Sequence, residues 1–241
     1  MLWAALITAS FLGGVVQTVT GFGAGVVIMM FLPYFFDLLA APAINSTICL
    51  GVSATLAWKY RKKLKRDLYA IPLVIYACFG VLFVRLVRNF DVEWLSTAFS
   101  GFLILLALYS LLAPKGAAFK ATPATAFLCS MISGICGALF GIGGPLMALY
   151  YSAVTQDREE YTANLQLIFA LSSLLMTATR AMNGLYTASM LSFSVVGILS
   201  IRAGSWVGGR IADKIPAELF RKVVYLSVGV SGLIMLVQKL L

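Results

Sequence analysis

The sequence has no histidine, and only nine of its 241 residues are acidic. Without histidine it lacks the commonest transition-metal ligand and the side chain that carries protons near neutral pH. Neither a metal site nor a cofactor is expected. Charged residues of both signs make up 11% of the chain against 61% apolar, where soluble domains average about 25% charged. So few charges cannot cover the surface of a soluble protein of this length. The apolar residues also come in runs that a soluble core does not need. The fold class expected is therefore an all-α polytopic membrane protein. Cysteine is scarce: Cys49, Cys78, Cys129 and Cys136 lie inside apolar runs, none in a C-x-x-C pair, and read as small packing residues. Lacking histidine, a midplane carboxylate and a plausible thiol site, the chain reads poorly as a membrane-embedded enzyme.

The charge that is present is mostly positive, for a net charge of +9. Its excess sits between apolar runs, where membrane orientation explains it better than nucleic acid does. The partners expected are the lipid bilayer and a small anionic substrate, with no nucleic acid; assembly into a homo-oligomer is left open. The opening Met1-Leu2-Trp3-Ala4-Ala5-Leu6 lacks the basic leader of a cleaved signal peptide, so the first run is expected in the mature protein.

Apolar runs cover residues 1–36, 40–58, 68–87, 92–113, 124–154, 161–182, 186–208 and 217–238. About 20 helical residues cross a bilayer core of ~30 Å. As one helix the run 1–36 would extend about 54 Å, too long for one crossing and short for two. Thr20-Gly21-Phe22-Gly23-Ala24-Gly25 interrupts it, and Gly141-Ile142-Gly143-Gly144-Pro145 interrupts the run 124–154. Glycine clusters are poor helix interiors. Both runs read as Gly-broken or re-entrant helices that turn within the membrane, giving about eight to ten membrane segments in all.

The breaks repeat. Gly14, Gly21 and Gly23 recur as Gly134, Gly141 and Gly143, each 120 residues on. Asn45 falls near Asn164, and Ser53 near Ser172. Common order and spacing point to duplication, with a first repeat at 1–113, a linker at 114–123 and a second repeat at 124–241. If each broken run crosses once, the halves are parallel and the loop Arg210–Lys222 faces outward with four basic residues. If each returns to its starting side, the pseudo-symmetric halves are inverted. Lys59–Arg66, Lys115, Lys120, Arg158, Arg210, Lys214, Arg221 and Lys222 then share the cytoplasmic side. The inverted arrangement fits the positive-inside rule better, and it makes the basic loop 59–66 cytoplasmic.

Inverted repeats with broken helices hold their substrates near the midplane. A half-helix N-terminus offers free N–H groups and a positive dipole end, which suit an anion, and glycine lets the ligand approach. Gly21, Phe22, Gly23, Gly141, Gly143 and Gly144 are candidates on that ground; the alternative is that the glycines only allow close helix packing. Gln17, Thr18 and Thr20 lie beside the first break, and Asn45, Ser46, Thr47, Asn164 and Gln166 in the following spans. These neutral groups either replace an oxyanion's hydration shell or bond helix to helix. Arg202 has apolar sequence on both sides. It either attracts an anion within the membrane or snorkels to its edge. Arg180, closer to a span end, reads as a snorkelling residue. Asp37, Asp157, Glu159, Glu160, Asp213 and Glu218 lie at or near span ends, leaving no midplane acid for a proton relay. Sodium coupling stays open. An anion leaving a negative interior gains ~2.3 kcal/mol per charge per 100 mV, so export needs no coupling ion and is favoured.

Two halves that each open with an apolar helix and a G-x-G break, a basic loop after the next span, and the loop Gly208-Gly209-Arg210-Ile211-Ala212-Asp213-Lys214-Ile215-Pro216 resemble the TauE/SafE sulfite exporter family. It is also called the 4-toluene sulfonate uptake permease family. The resemblance runs from about Leu6 to Val237 and is strongest at Thr20–Gly25 and Phe140–Pro145. It implies a permease of the bacterial inner membrane, not an enzyme, that moves sulfite, thiosulfate or organosulfonates. The second motif departs from the pattern at Pro145, where a third glycine is common; proline suits the first turn of a helix. Two other readings are a channel-like uniporter or importer of another small organic anion, and a non-transporting membrane subunit.

Overall fold

The computed structural model describes residues 1–112 and 122–212, with positions 230, 233, 236 and 237 beyond them. Most of the 114–123 linker and most of the last apolar run therefore lie outside the described residues. All the regular structure described is helical: α1 (Leu2–Thr20), α2 (Ala24–Met29), α3 (Ala41–Lys59), α4 (Arg66–Leu86), α5 (Val92–Leu112), α6 (Pro123–Phe140), α7 (Gly144–Val154), α8 (Arg158–Met182) and α9 (Ala188–Ile211). Three short 3-10 turns join them.

The helix ends follow from the sequence. α1 stops at Gly21, whose left-handed backbone (φ 84°) lets its N–H return to the Gln17 carbonyl. α6 stops in the same way at Gly141 (φ 68°), bonding back to Gly137. Only glycine adopts this cap without strain. α6 opens on Thr122, which exchanges hydrogen bonds with Thr125, and carries Pro123 in its first turn.

Among the described residues five stretches are long and apolar enough to cross a membrane: Leu2–Thr20, Arg66–Asn89, Pro123–Phe140, Arg158–Met182 and Ala188–Ile211. Large apolar side chains such as Ile71, Val74, Leu105, Leu199 and Trp206 face outward. Gln17, Asn45, Ser53, Asn164, Gln166 and Arg180 are buried. Lipid does not penalise exposed leucine, whereas it leaves polar groups without partners. This inside-out distribution marks a multi-pass helical membrane protein.

The packing interleaves the halves. α1 lies against α9 and α6 against α4, while α3 and α8 pair at the centre; α3 also touches α9, and α8 touches α4. Exchanging α1, α3 and α4 for α6, α8 and α9 maps this set onto itself. The contacts are close because they run over glycine. A Cβ at Gly204 would strike the Phe11 carbonyl, one at Gly14 the Ile201 carbonyl, and one at Gly134 would lie 2.5 Å from the Tyr76 carbonyl oxygen.

The first broken run is a hairpin. After the break Gly23 lies on Val16 and Ala24 on Gly13. Trp3 and Phe36, near its two ends, both meet the Phe193 ring, at centroid distances of 4.6 and 5.1 Å. The run thus ends at the level where it began. α7 relates to α4 similarly: the Tyr151 hydroxyl donates to the Leu68 carbonyl, 2.9 Å away in the first turn of α4.

The basic loop 59–66 is tied to the start of α8. Lys63 pairs with Asp157 (3.4 Å) and Glu159 (3.5 Å), and Lys65 with Glu160 (2.8 Å). Asp157 caps α8 by accepting the Glu160 N–H at 2.8 Å. That bond first, and the Lys63 charge second, hold the Asp157 carboxyl below its ordinary range; Asp157 and Glu159 push Lys63 up. A depressed carboxyl stabilises the fold above its unfolded pKa, and that contribution is lost as pH falls through the folded value. Once corrected for the intrinsic pH dependence of amide exchange, hydrogen exchange in the first turn of α8 is therefore expected to stay flat down to about pH 4 and to accelerate below it. Asp157→Asn keeps the cap and should remove most of that acid dependence. Acceleration already at mild acidity would contradict this.

Candidate functional site

The two breaks meet. Asn45 Nδ2 donates to the Gly141 carbonyl at 2.9 Å and to the Gly25 carbonyl at 3.3 Å, bridging one broken run to the other. Beside this bridge is a cavity of about 60 Å³. Its backbone wall comes from Gly23, Gly25, Gly141, Gly143 and Gly144. Its side-chain wall comes from Gln17 on α1, Val26 on α2, Cys49 and Ser53 on α3, Tyr76 on α4, Ile142, and Phe169 and Ser173 on α8. These residues fall near the middle of α3, α4 and α8, far from the helix ends that carry the acidic residues.

A buried chain of amides supports one side. Gln17 Nε2 donates to Ser53 Oγ (3.0 Å) and to Gln166 Oε1 (2.8 Å), and Gln166 Nε2 donates to the Gly21 carbonyl (2.6 Å). Each break thus has its left-handed glycine carbonyl held by an amide of the other half, Gln166 on Gly21 and Asn45 on Gly141. In its hydrogen bonding the counterpart of Asn45 is therefore Gln166 and not Asn164. Asn164 accepts the Lys65 N–H (3.1 Å) and donates to the Glu160 carbonyl (2.8 Å), which pins the basic loop away from the cavity.

The other expected site residues divide. Gln17, Gly23, Gly141, Gly143 and Gly144 line the cavity. Gly21 shapes the break, and Phe22 packs on Gly144. Thr20 bonds the Val16 and Phe22 carbonyls across the break. Thr18 turns to α9, bonding the Gly14 carbonyl and sharing a hydrogen bond with Ser205, both at 2.8 Å. Arg202 is exposed on α9 and away from the cavity. The buried residues of α9 are Ser194, Gly197, Ile201, Gly204 and Gly208, a stripe at helical spacing from which Arg202 is offset.

The buried cation is Arg180, 1% exposed. It does not snorkel. Its guanidinium donates to the Ala138 carbonyl (2.6 Å), the Gly137 carbonyl (3.4 Å) and Ser46 Oγ (2.8 Å). These are the last carbonyls of α6, where helical bonding runs out and the dipole is negative. Arg158 does the same for α1, donating to the Val19 carbonyl at 3.1 Å and the Thr18 carbonyl at 3.5 Å. Tyr76, Ser53, Cys49 and Ser173 were not singled out as site residues by sequence reasoning. The available signal was spacing: Gln166, Ser173 and Arg180 recur every seven residues and share one face of α8.

Removing the Asn45 bridge tests the meeting of the breaks. Asn45→Leu keeps the side-chain size and leaves the Gly25 and Gly141 carbonyls without this donor. A buried acceptor left unpaired costs about 1–3 kcal/mol. A lower melting temperature in detergent is expected, with Asn45→Ala no better. A wild-type melting temperature would show that the bridge is dispensable.

A helical membrane protein with a small cavity of mixed polar and apolar lining between two broken helices has the anatomy of a carrier. The chain belongs to the sulfite exporter TauE/SafE family, whose profile matches residues 6–235. It is similar to a protein of Cupriavidus necator described as a probable sulfite/organosulfonate exporter TauE, at 24% identity over 230 residues, covering 91% of this chain and 88% of the relative. No solved structure matches the chain.

Proposed function

We propose that this protein is a secondary transporter that carries small sulfur oxyanions (sulfite, thiosulfate or organosulfonates) out across the bacterial inner membrane. The observation that carries this reading is the cavity where the two glycine breaks meet. Its size suits the substrate. On a scale where one water takes about 10–15 Å³, 60 Å³ has room for about four to six centres, enough for the four heavy atoms of sulfite or the five of methanesulfonate. Its chemistry suits it too. The Ser53, Tyr76 and Ser173 hydroxyls and the N-terminal backbone of α7 offer donors to an oxyanion. The relative's description points the same way.

Opposed halves support alternating access. α1 brings its last carbonyls to Arg158 at the start of α8, whereas α6 brings its own to Arg180 in the last turn. The two opening helices thus run in opposite senses along α8, as inverted repeats require. With the basic loop 59–66 cytoplasmic by the positive-inside rule, the breaks approach the cavity from opposite sides. The membrane potential drives anion export without a coupling ion.

Efflux from proteoliposomes loaded with sulfite or methanesulfonate tests this. Flux that depends on the protein is expected, and Tyr76→Phe with Ser53→Ala should lower it about tenfold or more, because a hydrogen bond to a charged group contributes about 1.5–3 kcal/mol. Absence of flux for sulfite, thiosulfate and methanesulfonate alike would refute the reading.

A further inference from the structure

We propose that the cavity admits anions with one negative charge and rejects those with two. Hydrogen sulfite and sulfonates would bind, and the sulfite dianion, thiosulfate and sulfate would not. This inference rests on the transporter reading and narrows its substrate class.

The cavity wall carries no charged side chain. Its polar groups are neutral: Gln17, Ser53, Tyr76 and Ser173, with Cys49 donating to Asn45 Oδ1 at 3.4 Å. Tyr76 also marks a place for a ligand. It is 5% exposed, and its hydroxyl makes no hydrogen bond among the described residues. The residue lines the cavity, so its hydroxyl is free to donate to a ligand oxygen there.

The charge available can be counted. The titratable groups around Tyr76 are Cys49, Cys136 and Arg180, and none is a carboxylate. Arg180 brings one positive charge, but it is bonded to the end of α6. A helix end carries about half a charge, negative at the C-terminus and positive at the N-terminus. The end of α6 therefore takes back about half of the arginine charge, and the start of α7 at Gly144 returns about half. At the other break the end of α1 and the start of α2 cancel, and Arg158, which bonds the end of α1, is exposed, where solvent and salt screen its charge, so about one positive charge remains near the cavity. It balances a monoanion. A second negative charge would be buried without a partner, where charge is least tolerated.

Methanesulfonate and sulfate separate charge from size, since they have the same number of heavy atoms and nearly the same shape. Calorimetry on the protein in lipid nanodiscs should show methanesulfonate binding with an affinity that is flat across neutral pH, and sulfate binding at least about tenfold more weakly. Sulfite gives up its last proton near neutrality. Its apparent affinity should therefore fall about tenfold per pH unit on the alkaline side, in step with the monoanion fraction. Ser173→Lys adds a positive charge to the wall and is expected to admit sulfate. Sulfate binding to the unaltered protein as tightly as methanesulfonate, a flat pH profile for sulfite, or continued rejection of sulfate by a Ser173→Lys protein that still binds methanesulfonate would overturn the inference. If no anion binds at all, the transporter reading itself fails and takes this inference with it.

Discussion

Gly143→Leu is expected to abolish transport while the protein still inserts into the membrane. A Cβ at Gly143 would strike the Tyr76 hydroxyl and lie 2.5 Å from the Ser133 carbonyl oxygen. The phenol can swing aside, but the carbonyl belongs to α6 and cannot yield without moving the helix. Even Gly143→Ala therefore forces α6 and α7 apart, at the cost of about 1–3 kcal/mol typical of overpacking, and it does so where their junction forms the cavity wall. Flux should fall about tenfold or more for alanine and vanish for leucine, whose branches enter the cavity. Tyr76→Phe combined with Gly143→Ala should recover part of the packing but not the flux, because the ligand hydroxyl is gone. Wild-type flux in Gly143→Leu would remove the junction from the transport path.

Arg180→Met should be the most destabilising of the charge removals. It leaves the Ala138 carbonyl without its partner, while Ser46 keeps only its bond to the Pro42 carbonyl and Gly137 only the N–H of Gly141. Each orphaned acceptor costs about 1–3 kcal/mol. Taking a charge out of a buried site returns part of that, since no carboxylate accompanies it. The orphaned carbonyls win because they stand at the negative end of α6, where a cation is held most strongly. A fall in melting temperature and loss of flux are expected together. Arg180→Lys restores the charge without the planar fork and should fall between. An unchanged melting temperature in Arg180→Met would mean that water satisfies the end of α6.

Much of this was legible in the sequence. Gly21 and Gly141 mark both breaks because the left-handed cap demands glycine, and the demand shows in the letters. The excess length of the run 1–36 marked a break, the distribution of positive charge favoured a return, and Trp3 and Phe36 both meet Phe193. What stayed hidden is set by which helix covers which face. Hydropathy averages around a helix, so it ranked Arg202, flanked by apolar residues, above Arg180 near a span end. Depth along the chain was the wrong coordinate. Arg202 points away from the bundle, while Arg180 lies under the last turn of α6, a neighbour that no local window contains. Asn164 misled for a related reason: it lies two residues from Gln166, enough to turn it from the break to the basic loop. Tyr76 gave no signal because a tyrosine in an apolar run is ordinary.

α8 reaches both breaks along one uninterrupted rod. Near its start Arg158 and Gln166 grip the end of α1, and near its finish Arg180 grips the end of α6. Such a rod cannot slide or tilt for one break alone. A shift that slackens its hold at one end strains or tightens it at the other, as with a seesaw. In the carrier proposed above, the two doors to the cavity would share a hinge pin, and a carrier whose doors share a pin is guarded against standing open at both sides at once.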